Sequence, residues 1–381
     1  MKILASGDHH FHRAGSRWHE CQFIHSWMVD LARERGVDLF LSGGDTFETT
    51  STREERHAVA HWLLAMAEVC PVVIADGNHA PGHAYLFSAL RSRHPIVVEE
   101  RAAVHFVAGA AVAAVAWPSR ANIAAAIGRP LPPDAVDDVA REALRAVLGG
   151  LRLELEGHDG PRVLLGHFMV DGSVTSVGQP LVGQAMNVGL SDLHLAGASL
   201  GVMAHIHAPQ DWVYGGVTYA YTGSPYRTAF GEMEQKSVLL AEFDGARLVS
   251  LERIPTPCAG MMLGEDEWSC DCWLRGWPGI DPDKAAGAEV RLRWRVAADQ
   301  RDAARAAAEK VRADLLARGA LSVKLEEVVR PHATARAPEV GAAEGLAAQL
   351  DAYWRAARVE LQAERKTRVM AMAEVLEGLT Q

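Results

Sequence analysis

Five short apolar runs in this chain each lead into residues that bind divalent metals. No other feature limits its possible folds so strongly. The runs are Lys2–Ser6, Val37–Leu41, Pro71–Ala75, Arg162–Leu165 and Leu200–Ala204. They are followed by Asp8 and His10, by Asp45, by Asn78 and His79, by His167, and by His205 and His207. Runs of this length, bounded by glycine and polar residues, read as buried strands. Asp8 and His10 are two apart, so in extended chain they point the same way. Any one set is an ordinary polar loop. Five sets carry more weight, because in open α/β sheets ligands gather beyond the carboxyl ends of the strands. That single rule places all of them at one edge of the fold.

Donor type selects the chemistry. Carboxylate, imidazole and amide together suit Mn²⁺, Fe or Zn²⁺. The absence of thiolates argues against a structural zinc site. The number of donors suggests two ions sharing one carboxylate. Two cations about 4 Å apart activate water and stabilise a phosphate oxyanion during in-line displacement. Gly7, Gly43, Gly44, Gly77 and Gly166 beside the donors permit tight turns and close phosphate approach.

Between the strands, helical spacing predicts helices over Trp18–Arg35, Glu54–Cys70, Ala84–Ser92 and Asp134–Gly157. Val104–Trp117 reads as one strand, and Trp212–Ile254 as hairpins, with a turn at Asp244-Gly245. This alternation predicts α/β architecture with a largely parallel sheet. Pro255, Pro257, Gly260 and Gly264 mark a linker. A strand Glu289–Val296, a helix Gln300–Arg318 and a strand Leu321–Val329 then form a small β-α-β unit. Pro331–Gly345 is a second linker, and Leu346–Leu379 is a helical tail with an interrupted apolar stripe.

Composition removes several classes. No apolar run reaches the roughly 18 residues a membrane helix needs. The opening residues lack a signal-peptide core, so a cytoplasmic location is expected. Net charge is −10, which argues against a non-specific nucleic-acid coat but not against an enzyme acting on nucleic acid. Cys21, Cys70, Cys258, Cys270 and Cys272 read as reduced thiols rather than a zinc hook. Among the seventeen histidines, His9 and His12 read as solvated loop residues. His19, His25, His57, His61, His83 and His94 read as facing solvent or capping helices. Trp268, Trp273 and Trp277 read as packing residues, with base stacking as the alternative.

Asp-x-His, Gly-Gly-Asp, Gly-Asn-His, Gly-His and His-x-His, in this order, resemble the calcineurin-like metallophosphoesterase superfamily. Gly-Asp-His-His-Phe-His, Gly-Gly-Asp-Thr-Phe-Glu and Tyr-Thr-Gly-Ser-Pro-Tyr-Arg-Thr-Ala-Phe-Gly-Glu narrow the likeness. They resemble the nuclease subunit of bacterial SbcCD and its double-strand-break-repair counterparts. The resemblance implies a four-layer αββα sandwich over 1–255, a small α/β cap over 256–330, a linker over 331–345 and a partner-binding helical tail over 346–381. It implies a DNA nuclease of repair or recombination; a phosphomonoesterase or small-molecule phosphodiesterase is the alternative. It implies one metal on Asp8, His10, Asp45 and His207, and another on Asp45, Asn78, His167 and His205. Manganese is expected, with iron or zinc as alternatives. His79 would act on the scissile phosphate, and Glu48 and Arg227 would lie near substrate. The implied partners are DNA, an SMC-like ATPase and a second copy of the chain, paired through Glu54–Cys70 and Ala84–Ser92. Three departures are visible: Ala80 where relatives carry an acid, Glu48 where they carry His or Asp, and Ala204-His205 in place of Gly-His.

Overall fold

The computed structural model describes residues 1–15, 17–119, 123, 136–176, 179, 186–268, 280–330, 338–359 and 361–379. The chain divides into two compact units. The first holds Met1–Asp266, Ala308–Glu326 and the described part of Cys270–Arg293; the second holds Glu267–Ser269, Trp294–Ala307 and Glu327–Gln381.

The first unit is built on two six-stranded sheets. One contains β1 (Lys2–Ser6), β2 (Leu39–Ser42), β3 (Val72–Ala75), β4 (Ile96–Glu99), β13 (Ser237–Asp244) and β14 (Arg247–Pro255). Its order is β14-β13-β1-β2-β3-β4. The other contains β5 (Ala102–Val107), β6 (Ala110–Val115), β7 (Arg162–His167), β10 (Leu200–Ala204), β11 (Gln210–Tyr214) and β12 (Val217–Tyr221), in the order β11-β12-β10-β7-β6-β5. A two-stranded ribbon pairs β8 (Met169–Val170) with β9 (Asn187–Val188). The first sheet is antiparallel along β14-β13-β1 and parallel from β1 to β4, and the second is parallel at its centre with antiparallel edges, so both are mixed rather than one largely parallel sheet. The run Val104–Trp117 is a hairpin, turning at Ala108 and Gly109, both in the left-handed region. Continuous Val/Ala content concealed that turn.

Alternation along the strands sorts side chains between layers. Ile3, Ala5, Leu39, Leu41 and Val73 face Val112, Ala114, Val163, Leu165 and Val202 between the sheets. Leu4, Phe40, Val72 and Ile74 point outward under helices α1 (Trp18–Arg35) and α2 (Arg53–Ala67). Leu164, Met203, Tyr219 and Tyr221 point outward under α3 (Val136–Leu155). Both faces of each sheet are therefore covered, which gives the expected αββα layering. Helix α1 ends where Gly36 takes φ 64°, and α2 starts in a capping box between Thr52 and Glu55. The expected helix Ala84–Ser92 is only a 3₁₀ turn, Tyr85–Ala89. Trp62, Leu63 and Met66 belong to the core, whereas His61 is exposed.

His9 and His25 overturn the solvated reading. Both are buried, His9 at 0% exposure, with His9 Nδ1 2.9 Å from His25 Nε2 and His9 Nε2 3.0 Å from Ser42 Oγ. His9 lies against Trp62, with ring centroids 4.7 Å apart. Burial pushes His25 down to about 3. A histidine that resists protonation when folded stabilises the fold fully above its unfolded value of 6.5. That stability is lost as pH falls toward 3, at up to about 1.4 kcal/mol per pH unit. Urea midpoints measured between pH 7 and 4.5 should fall with this slope. His25→Gln should flatten the fall, and parallel curves for the two proteins would contradict the assignment.

A third sheet has the order β15-β16-β17, with β15 (Gly260–Glu267), β16 (Ala288–Ala297) and β17 (Ser322–Arg330). Strand β15 covers a stretch that its glycines had marked as linker. Helix α4 (Arg301–Ala317) lies between β16 and β17 in the chain. In the second unit the tail is two helices, α6 (Leu346–Ala356) and α7 (Ala363–Leu379), preceded by a short α5 (Pro338–Ala342). Arg358 takes φ 52° at the break between α6 and α7. Among the described residues, no helix is long and apolar enough to cross a membrane. Cys270, Cys272, Trp273 and Trp277 lie outside the described residues.

Candidate metal centre

The carboxyl ends of β1, β2 and β3 from one sheet and of β7 and β10 from the other meet at one edge. Backbone pairing continues past the strands: Asp8 N–H donates to Gly44 O (3.0 Å) and His10 N–H to Asp45 O (2.9 Å). The sheets are joined there by His205 N–H donating to Asp8 Oδ1 (2.9 Å), and by His167 Nδ1 donating to Gly43 O (2.8 Å). Close approach requires the glycines. A Cβ on Gly43 would stand 2.5 Å from Ala204 Cβ, and one on Gly77 only 2.0 Å from Asp45 Oδ1. Ala204, the departure from Gly-His, fits because it faces Gly7 and Gly43.

Four of the donor residues are held in the left-handed backbone region: Asp8 (φ 53°), His10 (φ 43°), Asp45 (φ 47°) and His205 (φ 105°). Each such residue costs on the order of 1–3 kcal/mol, and strain of this kind clusters at functional sites. Ala80, Ala108 and Arg358 share that region without being donors.

The predicted donors assemble into two groups. Asp8, His10 and His207 form one, and Asp45, His167 and His205 the other; within each group the donor atoms lie within 4.8 Å of one another. Asp45 Oδ2 faces both, 3.3 Å from His167 Nε2 and 4.0 Å from His10 Nε2. Asn78 Oδ1 sits 2.9 Å from His167 Nε2 and 3.0 Å from His205 Nδ1, completing the second group. All six charged or imidazole donors are buried.

Hydrogen bonding sets the imidazoles for ligation. His167 spends Nδ1 on a carbonyl, which leaves Nε2 toward Asp45 and Asn78. His10 has Nδ1 2.7 Å from the Glu48 carboxylate and Nε2 3.0 Å from His207 Nε2. His205 Nε2 is buried without a hydrogen-bond partner among the described residues. Paired and orphaned ring nitrogens beside carboxylates, far from water, fit a cation. Burial resists charge on Asp45, yet His167 and His10 hold it well below the carboxylate range. Burial likewise opposes a charged His167, but Asp45 lifts it to about 9. Burial and then His167 push His205 down to about 3.

His79 stands beside this centre. Its N–H donates to Asp45 Oδ1 (2.8 Å), and its Nδ1 donates to Glu48 O (2.8 Å). That leaves Nε2 for exchange with a bound molecule. With His10 and Glu48 it forms a third group of donors. The contact with His10 holds the Glu48 carboxyl at about 2. Both residues line a cavity of about 430 Å³.

Arg227 has a different role from the expected one. It is buried and donates to the carbonyls of Glu232 (2.7 Å), Glu234 (2.8 Å) and Ala259 (3.1 Å), so it braces loops. The Arg or Lys lining the described cavity wall is Arg17, paired with Glu20 and Glu289. Sequence reading passed over it because it sits in a loop without a motif. It also missed Gln179, whose side chain donates to His205 O (2.6 Å) and accepts from His207 N–H (3.1 Å).

No protein-family model matches the chain, and no curated protein matches it. Solved structures do. The GAP50 anchor of the Plasmodium inner membrane complex is 12% identical over 67% of this chain and 89% of its own, with a TM-score of 0.42. A putative 5′-nucleotidase from Staphylococcus aureus is 13% identical over 67% and 54%, at 0.40. The phosphopantetheinyl hydrolase of Mycobacterium tuberculosis is 17% identical over 59% and 90%, at 0.34. Likeness at this level assigns no activity.

Glu232 was given no role either, although it closes the stretch Tyr221–Glu232 on which the resemblance rests. It is fully buried, with Oε1 3.5 Å from His207 Nδ1 and 3.0 Å from Thr228 Oγ1, and Oε2 2.8 Å from Lys236 Nζ. Burial opposes its ionisation, but His207 and Lys236 hold it at about 2. A carboxylate behind a ligating imidazole fixes its ring and raises its basicity, and its loss costs about 10–100-fold in metal affinity. Glu232→Gln should weaken binding at the group containing His207 by that factor in a calorimetric Mn²⁺ titration. The Asp45/His167/His205 group should change far less.

Proposed function

We propose that this chain is a two-metal phosphodiesterase that cleaves DNA. The observation that carries the metal-dependent reading is Asp45, a buried carboxylate facing two groups of ligand-type side chains drawn from both sheets. Asp8, His10, Asp45 and His207 would hold one divalent cation, and Asp45, Asn78, His167 and His205 the other. When bound, the cations supply an activated water and neutralise charge on the phosphoryl oxygens. The chain's own residues do the rest. Glu48 and Glu232 orient His10 and His207. His79 keeps Nδ1 on the Glu48 carbonyl, and its Nε2 gives a proton to the oxygen that leaves as the phosphorus–oxygen bond breaks.

The choice of DNA rests on the resemblance of the Gly-Asp-His-His-Phe-His, Gly-Gly-Asp-Thr-Phe-Glu and Gly-Ser-Pro stretches to the SbcCD-type nucleases. On the same reading the tail docks an SMC-like ATPase and the chain pairs with a second copy. The 430 Å³ cavity favours a second reading, hydrolysis of a small phosphoester, because it is the size of a small-molecule site. Purified chain with Mn²⁺ should degrade linear or hairpin DNA. Rapid turnover of a chromogenic phosphoester without any DNA cleavage would favour the second reading. ATPase binding that survives truncation after Arg330 would remove the docking role of the tail.

A further inference from the structure

We infer a separate transition-metal site on the outer face of α2, formed by His57 and His61. The two residues are one helical turn apart and both exposed. Their Nε2 atoms are 3.3 Å apart, with ring centroids at 4.4 Å. Two histidines at i and i+4 on one helix face are a bidentate metal ligand in many zinc enzymes. The spacing can be tested against that chemistry. With each nitrogen about 2.0–2.1 Å from a zinc ion, a 3.3 Å separation gives an N–Zn–N angle of about 105–110°, the tetrahedral value. As a hydrogen bond, 3.3 Å is long. The pair therefore has the bite of a chelate more than the contact of a donor and an acceptor.

The surroundings supply what two imidazoles lack. The pair lines a groove of about 680 Å³ between α1 and α2. Glu54, one turn earlier on α2, and Gln22, Ser26 and Asp30 of α1 line the same groove. No carboxylate among the described residues joins the pair as a close third ligand, so water fills the remaining positions. Two imidazoles with carboxylate or water select zinc, nickel or copper and rank manganese last. The site is poorer in carboxylate than the buried centre, whose mixed donors suit manganese, iron or zinc. It also lies outside that centre, whose ligands come from the loops after β1, β2, β3, β7 and β10. A cation bound here would staple two turns of α2. The inference does not depend on the proposed nuclease activity.

The test uses the full chain, saturated with Mn²⁺ and then labelled with diethyl pyrocarbonate with and without Zn²⁺. Modified peptides are located by mass spectrometry. Zinc should slow modification of His57 and His61 together. In His61→Gln, zinc should no longer protect His57, because a single imidazole does not chelate. Equal labelling with and without zinc, or His57 protection that survives in His61→Gln, overturns the site. Calorimetry adds a second readout: the His57→Gln/His61→Gln double variant should bind one zinc equivalent fewer than the wild type. Both positions are exposed, so the variants should keep the wild-type fold. Unchanged stoichiometry counts against the site.

Discussion

Asp45→Asn should abolish phosphodiester hydrolysis, by at least about 10³-fold, and empty both groups of donors at once. Asp45 Oδ2 is 3.3 Å from His167 Nε2 and 4.0 Å from His10 Nε2, so it reaches both groups. The change removes a negative charge that acts on both His167 and His10. It leaves the backbone network intact, since His79 N–H and His10 N–H still find oxygens. Metal content measured by mass spectrometry on the folded variant should fall for both ions. Retention of two ions per chain would show that Asp45 does not bridge. Gly77→Ala should approach the same outcome from the backbone side, because its Cβ would collide with Asp45 Oδ1.

His79→Ala should lower kcat by about 10²–10⁴-fold, the usual share of a general acid, while KM and metal content stay near wild type. The separation follows from geometry. His79 touches Asp45 through its backbone N–H, which the alanine variant keeps, whereas the proton it offers comes from the side chain. An equal fall in metal content would instead make His79 a ligand, as its grouping with His10 and Glu48 would allow. Cleavage of a substrate with a low-pKa leaving group, which needs no proton, should recover most of the loss. Absence of that recovery would move His79 from proton donor to charge stabiliser.

Much of this site was legible before any coordinates, for reasons specific to the residues. Each donor follows an apolar run short enough to be a strand. The strand-end rule then needs no long-range information to bring them to one edge. Asp8 and His10 were read as a pair from the alternation of an extended strand, whereas left-handed backbone beyond the end of β1 sets their directions. The same local backbone hid the burial of His9. Glu232 and Lys236 were invisible for another reason. A buried charge pair has no local pattern, and only the fold brings Glu232 behind His207. Arg227 misled because an arginine after Gly-Ser-Pro resembles a phosphate contact, while its donors are taken by three carbonyls.

The sequence by itself determined which donor-type residues follow the short apolar runs and that these five runs are strands, because this depends on residue type, period and local turn. Tertiary structure decided the rest. It divided the strands into two mixed sheets and set Asp45 between two groups of imidazoles. It also held four donors in left-handed backbone that local preference disfavours. The reason is physical: such strain and such buried charges persist only where packing on every side over-determines them.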